Sequence, residues 1–155
     1  MTFRITGIDS TPFEHLFGLS DTDLAKHRAK RYIADEKPGF PCRVSLEDAE
    51  RGETLLLLNH RHHTAPTAYA SEGPIFVRER PAQHAEWIDE VPDQLKARLI
   101  SLRAYDRDGM MIDADVVDGK ELKPLIERFL ANDEASYLHA HFARRGCYAA
   151  RIERR

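Results

Sequence analysis

Apolar and polar positions follow three patterns along this chain: alternation by two, one helical stripe, and stretches with no period. Phe3 to Ile8 alternates and predicts a first strand, with Gly7 marking a bulge or the strand's end. Pro12 opens a short helix carrying Phe13, Leu16 and Phe17, and Gly18 stops it. Ser20 followed by Asp23 predicts a capped helix from about Asp21 to His27. Arg31 to Ala34 reads as a strand halted by Pro38-Gly39. Pro38 and Pro41 then stiffen the bend around Phe40 and present Cys42 and Arg43 from a rigid support, and Ser45 to Ala49 is expected to form one helical turn.

The run Leu55 to Leu58 does not alternate, so both faces of its strand are expected to be covered. From Asn59 to Pro74 no period is evident, which predicts a long polar loop carrying His60, His62, His63, Ser71 and Glu72. Ile75 to Val77 is the strand after it, and Ser71-Glu72-Gly73 is read as the turn admitting the chain into that strand or as a pocket rim. Arg80 to Val91 reads as irregular, held down by Trp87 and Ile88, and Pro92 opens a short helix.

Three elements close the chain. The first is a hairpin in which Ile100, Leu102 and Ala104 match Ile112, Ala114 and Val116. A three-residue loop with Gly109 in the left-handed position joins its strands, which sets Arg103 across from Asp113 and Ser101 across from Asp115. Leu122, Leu125, Ile126, Phe129 and Leu130 then follow at helical spacing, with Pro124 confined to the first turn. Last comes a second hairpin, in which His139 and His141 share one face. A three-residue loop there sets His141 opposite Cys147; a four-residue loop buries Cys147 instead.

These elements predict a single α+β domain over residues 1–155, a mostly antiparallel sheet of about eight strands with three or four short helices. Composition adds little to that. The chain is 42% hydrophobic and 32% charged, with a net charge of -3, so there is no basic footprint for nucleic acid. No apolar stretch has the length to span a bilayer, and the first residues lack a signal-peptide layout, which makes the cytoplasm the expected location. Two cysteines in that setting are expected as free thiols.

Phosphate loops, dinucleotide fingerprints and GxSxG elbows are missing, so the candidate chemistry rests on three groups. Cys42 and Cys147 are candidate nucleophiles, with His141 or His139 as base; the plain alternative is two small buried hydrophobes. His60, His62, His63, His139 and His141 are candidate ligands for a transition metal, the only cofactor the residues suggest. Arg43, Arg103, Tyr105, Asp113 and Asp115, rimmed by His60, His62 and Ser71, form a candidate polar pocket for a small anion, or a solvated ladder of cross-strand charges.

The strings PGFPCRVSLEDAERGETLLLL, YASEGPIFVRE, RAYD with DADVVDG, and HAHFARRGCYAARIER resemble the bacterial domain-of-unknown-function family numbered 1203 over essentially the whole chain. That resemblance implies a stand-alone bacterial protein and brings no reaction, substrate or catalytic residue. Two classes of function stay open. One is a module binding a small anionic molecule or a protein; the other is a small enzyme using a histidine-bound metal or a Cys–His pair.

Overall fold

Alternation along each strand sends side chains to opposite faces, and in this molecule the strands form two separate sheets. The computed structural model describes residues 2–155. Its strands are β1 (Phe3–Thr6), β2 (Lys30–Ile33), β3 (Thr54–His63), β4 (Ser71–Arg78), β5 (Glu86–Ile88), β6 (Leu99–Tyr105), β7 (Met111–Asp118), β8 (Tyr137–Phe142) and β9 (Tyr148–Arg154). Three α-helices, α1 (Asp21–Lys26), α2 (Asp93–Lys96) and α3 (Leu122–Leu130), join 3-10 turns at Thr11–Leu16 and Gly119–Glu121. The larger sheet has the order β5-β1-β9-β8-β6-β7 and the smaller β2-β3-β4, with every neighbour antiparallel. The α+β expectation therefore holds. No helix is long and apolar enough to cross a membrane.

One face of the larger sheet carries the main core. Ile5, Ile100, Leu102, Leu138, Ala140 and Ile152 pack there against the stripe Leu122, Leu125, Ile126, Phe129 and Leu130 of α3, all buried. In the smaller sheet Leu56 and Leu58 join Ile75 and Val77 beneath Phe13, Leu16 and Leu24, while Leu55 packs with Ala34 and Ala49 on the opposite side. Both faces of the leucine run are thus covered, apart from a half-buried Leu57. Ser20 caps α1 by accepting the Asp23 amide at 3.1 Å, as its spacing predicts.

Four expectations need correction. The supposed loop from Asn59 to Pro74 is mostly a hairpin: β3 runs on through His63 and β4 begins at Ser71. Leu56, Leu58, His60 and His62 continue one alternation, but the change from leucine to histidine hides it from a search for apolar period. Residues 86–88 form edge strand β5 on β1 rather than irregular chain. Ser45 to Ala49 is a tight return closed by a Pro41–Asp48 bridge, with Leu46 at φ 56°, and is not helical.

The fourth correction is one of register. The loop at Arg107-Asp108-Gly109 forms as expected, with Gly109 at φ 84° and Tyr105 opposite Met111. A bulge at Ile112 then shifts everything beyond it, so Arg103 faces Ala114 while Ala104 and Leu102 face Asp113 and Asp115. Because β7 is an edge strand, no buried face penalises that shift. In the terminal hairpin the four-residue loop forms, with the Phe142 amide on the Cys147 carbonyl at 2.9 Å, and a bulge at Ala149 follows.

The segment around Arg43 joins the two sheets. Its amide donates to the Phe76 carbonyl of β4 at 3.0 Å, and its own carbonyl accepts from Ile8, just beyond β1, at 2.9 Å. Gly7 makes this approach possible, since a Cβ there would lie 2.3 Å from the Val44 carbonyl oxygen and 2.6 Å from that of Arg43. Gly7→Ala should therefore cost about 2–4 kcal/mol of stability, measured by urea denaturation, because backbone has to move. A loss below about 0.5 kcal/mol would mean that the junction yields freely.

Candidate functional site

The polar face of the larger sheet lies under β3, and rings fill the gap between them. Alternation along β8 puts Tyr137, His139 and His141 on this face, opposite Tyr105, Arg103 and Ser101 of β6. The bulge in β9 turns Tyr148 to face His141. From above, the irregularity between His60 and His63 aims the successive residues His62 and His63 at the same layer. His62 stacks on Tyr148 with ring centroids 5.3 Å apart, and lies 5.0 Å from His141 and 6.3 Å from His139. His63 packs on Tyr105 at 4.3 Å and shares a 2.8 Å hydrogen bond with the Tyr137 hydroxyl.

Three of these rings form a tight group. His62, His139 and His141 each present a ring nitrogen within 4.8 Å of the others. His139 and His141 are 2% and 1% exposed, and His62 is half-buried. Burial, which penalises the charged imidazolium, pushes His62 and His141 down to about 4 and His139 to about 2; the nearby Arg103 and Arg151 charges and the neighbouring rings add to this in part. The imidazoles are therefore neutral at pH 7, as metal ligation requires.

The hydrogen bonds of these rings are incomplete. His141 Nδ1 lies 3.0 Å from the Gly146 carbonyl, an acceptor only, so that nitrogen carries the proton and Nε2 keeps its lone pair. Arg103 Nη1 approaches that lone pair at 3.4 Å. The Nδ1 atoms of His62, His63 and His139 are buried without a partner. An unmet buried polar atom costs about 1–3 kcal/mol, so these nitrogens are places where a water or another bound group would be accommodated.

The predicted site residues divide sharply. His60 sits at the edge of the layer, 5.8 Å from the Phe13 ring and 5.9 Å from Tyr148. Arg103 and Tyr105 lie inside it, whereas Ser71 is exposed and bonds the Tyr69 carbonyl. Asp113 and Asp115 are exposed, and Asp115 pairs with Arg128 of α3 on the other side of the sheet, so neither joins the polar face with Arg103. Arg43 is buried beside the terminal hairpin, with Nη2 3.1 Å from Cys147 Sγ. Cys42 is buried and accepts the Arg78 amide at 3.4 Å; neither thiol hydrogen-bonds a histidine.

Sequence reasoning missed Tyr148, Tyr137 and Arg151, whose guanidinium covers the Tyr137 ring at 4.1 Å. Strict alternation puts Tyr148 with Ala150 and Ile152, and only the bulge at Ala149 turns it to the histidines.

For the histidines the folded pKa lies below the ordinary 6.5, so the unfolded chain takes up protons first as pH falls. This contribution to stability is complete above about pH 6.5 and is lost towards pH 4. Metal-free protein in EDTA should lose on the order of 2 kcal/mol per deeply buried histidine between about pH 7 and pH 5 by urea denaturation. His141→Gln should flatten the profile, and an unchanged profile would contradict burial of a neutral ring.

Residues 39–154 match the model of a family described as a protein of unknown function, DUF1203. No curated protein matches the chain, and no solved structure does.

Proposed function

The chain belongs to the DUF1203 family, and we propose that it is a metal-binding protein whose centre is His62, His139 and His141, with Arg103 beside it to receive an anion. One observation carries this reading: three neutral imidazoles from two different sheets present nitrogens within 4.8 Å of each other, and two of them hold a buried Nδ1 without a partner. Nitrogen ligands of this kind suit zinc, copper, iron or nickel. A tetrahedral ion with bonds of about 2.1 Å separates its ligands by about 3.4 Å, so the rings need only small rotations to close on it.

Three protein ligands leave a fourth position. Arg103 Nη1 lies 3.4 Å from His141 Nε2, so a metal taking that lone pair would free the guanidinium for another acceptor, and no carboxylate belongs to the triad. That arrangement favours an anion bound to the metal and hydrogen-bonded by Arg103. The Gly146 carbonyl orients His141, in the way ligating histidines are usually held by their second nitrogen. The metal gives this small-anion reading its focus, and Asp113 and Asp115 have no part in it.

Elemental analysis of protein purified without a histidine tag should find about one equivalent of a transition metal. Stripped protein titrated with Co²⁺ should develop the visible absorption of a four-coordinate ion. His62→Ala, at a half-exposed position, should weaken Co²⁺ binding at least about tenfold while leaving the protein folded. Arg103→Ala should retain Co²⁺ but lose the spectral response to added phosphate. Metal-free protein that gives no Co²⁺ spectrum would end the proposal.

A further inference from the structure

A cleft beside the junction between the sheets is lined by residues of both, and its chemistry differs from that of the histidine layer. It is a cleft of about 830 Å³, a volume that suits a small organic molecule. One wall is aromatic: Tyr32, Phe40 and Phe76 lie with ring centroids 5.3–6.4 Å apart, beside the half-buried Leu57. Packing fixes this wall, because Phe40 and Phe76 rest on the cluster of Leu55, Ala34 and Ala49.

The rest of the lining is rich in cations. Arg43, Arg98, Arg144 and Arg145 line it, with Cys147 among them. Arg98 is neutralised by Asp48, at 2.6 and 3.0 Å. The other three form no ion pair among the described residues, although Glu36 and Asp118 stand elsewhere on the lining. Arg43 is the notable member, being 2% exposed. Its guanidinium donates to the Tyr148 carbonyl at 2.8 Å, the Pro41 carbonyl at 2.6 Å and Cys147 Sγ at 3.1 Å. Those three bonds leave two of its five N–H donors uncommitted. A buried cation without a counter-ion is unfavourable, and an anion arriving in the cleft would meet that need.

We propose that this cleft binds an amphipathic monoanion, its apolar body lying on Tyr32, Phe40 and Phe76 and its carboxylate held by Arg144 and Arg145 above the buried Arg43. The two walls select complementary parts of one ligand. A fully apolar molecule leaves the guanidiniums unanswered, and a bare inorganic anion leaves the aromatic wall wet. The site is independent of the metal centre, since no residue of the histidine triad lines it.

Cys147 supplies a reporter. It is half-buried on the lining, whereas Cys42 is 1% exposed and serves as an internal reference. Iodoacetamide labelling of untagged protein, located by mass spectrometry, should modify Cys147 first. Saturating decanoate should slow that labelling roughly tenfold, while decanol and inorganic phosphate should each have little effect. The double variant Arg144→Gln/Arg145→Gln, on an exposed loop, should lose the protection by decanoate when its labelling with decanoate is compared with its own rate without additive. Equal protection by decanol would overturn the anion requirement, and protection by phosphate alone would overturn the apolar one. Slower labelling at higher protein concentration without additive would place a second copy in the cleft. Labelling indifferent to every probe would refute the site.

Discussion

The two sheets of this protein are held together through Arg43. Its backbone hydrogen-bonds β4 on one side and the chain leaving β1 on the other. Its side chain runs into the terminal hairpin, where it bonds Pro41, Tyr148 and Cys147 and lies 4.9 Å from the Phe142 ring centroid. Six contacts on four segments make it the point from which the smaller sheet is hung over the larger. The surrounding glycine and prolines serve the same junction: Gly7 admits the carbonyls of residues 43 and 44, and Pro41 stiffens the approach. A buried guanidinium is costly to desolvate, and burial lowers its pKa for that reason; carbonyl acceptors and an aromatic face compensate in part.

From that junction the two sheets enclose a layer that is polar yet buried. Most sheet-on-sheet interfaces fill with aliphatic side chains. This one changes along β3 from Leu56 and Leu58, which pack on Phe13 and Leu24, to His60 and His62, which pack on Tyr148. Tyrosine and histidine give ring stacking nearly as extensive as a hydrophobic core, but they bring nitrogens and hydroxyls needing partners. The pairing of His63 with Tyr137 meets one such need, and the orphaned nitrogens of His62 and His139 do not find one.

Each of the three hairpins around the site contains a bulge, at residues 61–62 of β3, at Ile112 and at Ala149. In these strands alternation carried through the bulge puts the residues on one side of it on the wrong face. In β3 the extra residue brings His63 into the layer beside His62, and in β9 it brings Tyr148. In β7 it sends Asp113 and Asp115 to the helix side. The same device thus assembles the histidine group and dismantles the charge ladder that a regular register would have formed.

From its amino acids alone the chain determined the α+β class, the stripe of α3, the Ser20 cap, the Gly109 turn and the placement of His139 and His141 on one face. These are local matters of spacing, φ angle and capping, which neighbours in sequence settle among themselves. The participation of Arg103 and Tyr105 in the polar face was legible for the same reason. The convergence of His62 with His139 and His141 was not, because it joins residues more than 70 positions apart on two sheets. Nor was the pairing of Arg43 with Cys147 across the sheet junction, which depends on how two independent hairpins dock. Bulges cost little on an edge strand and leave no mark in apolar period, so register beyond them was decided by packing. Only the tertiary structure could set three neutral imidazoles around one point, because only burial between sheets both gathers them and keeps them uncharged.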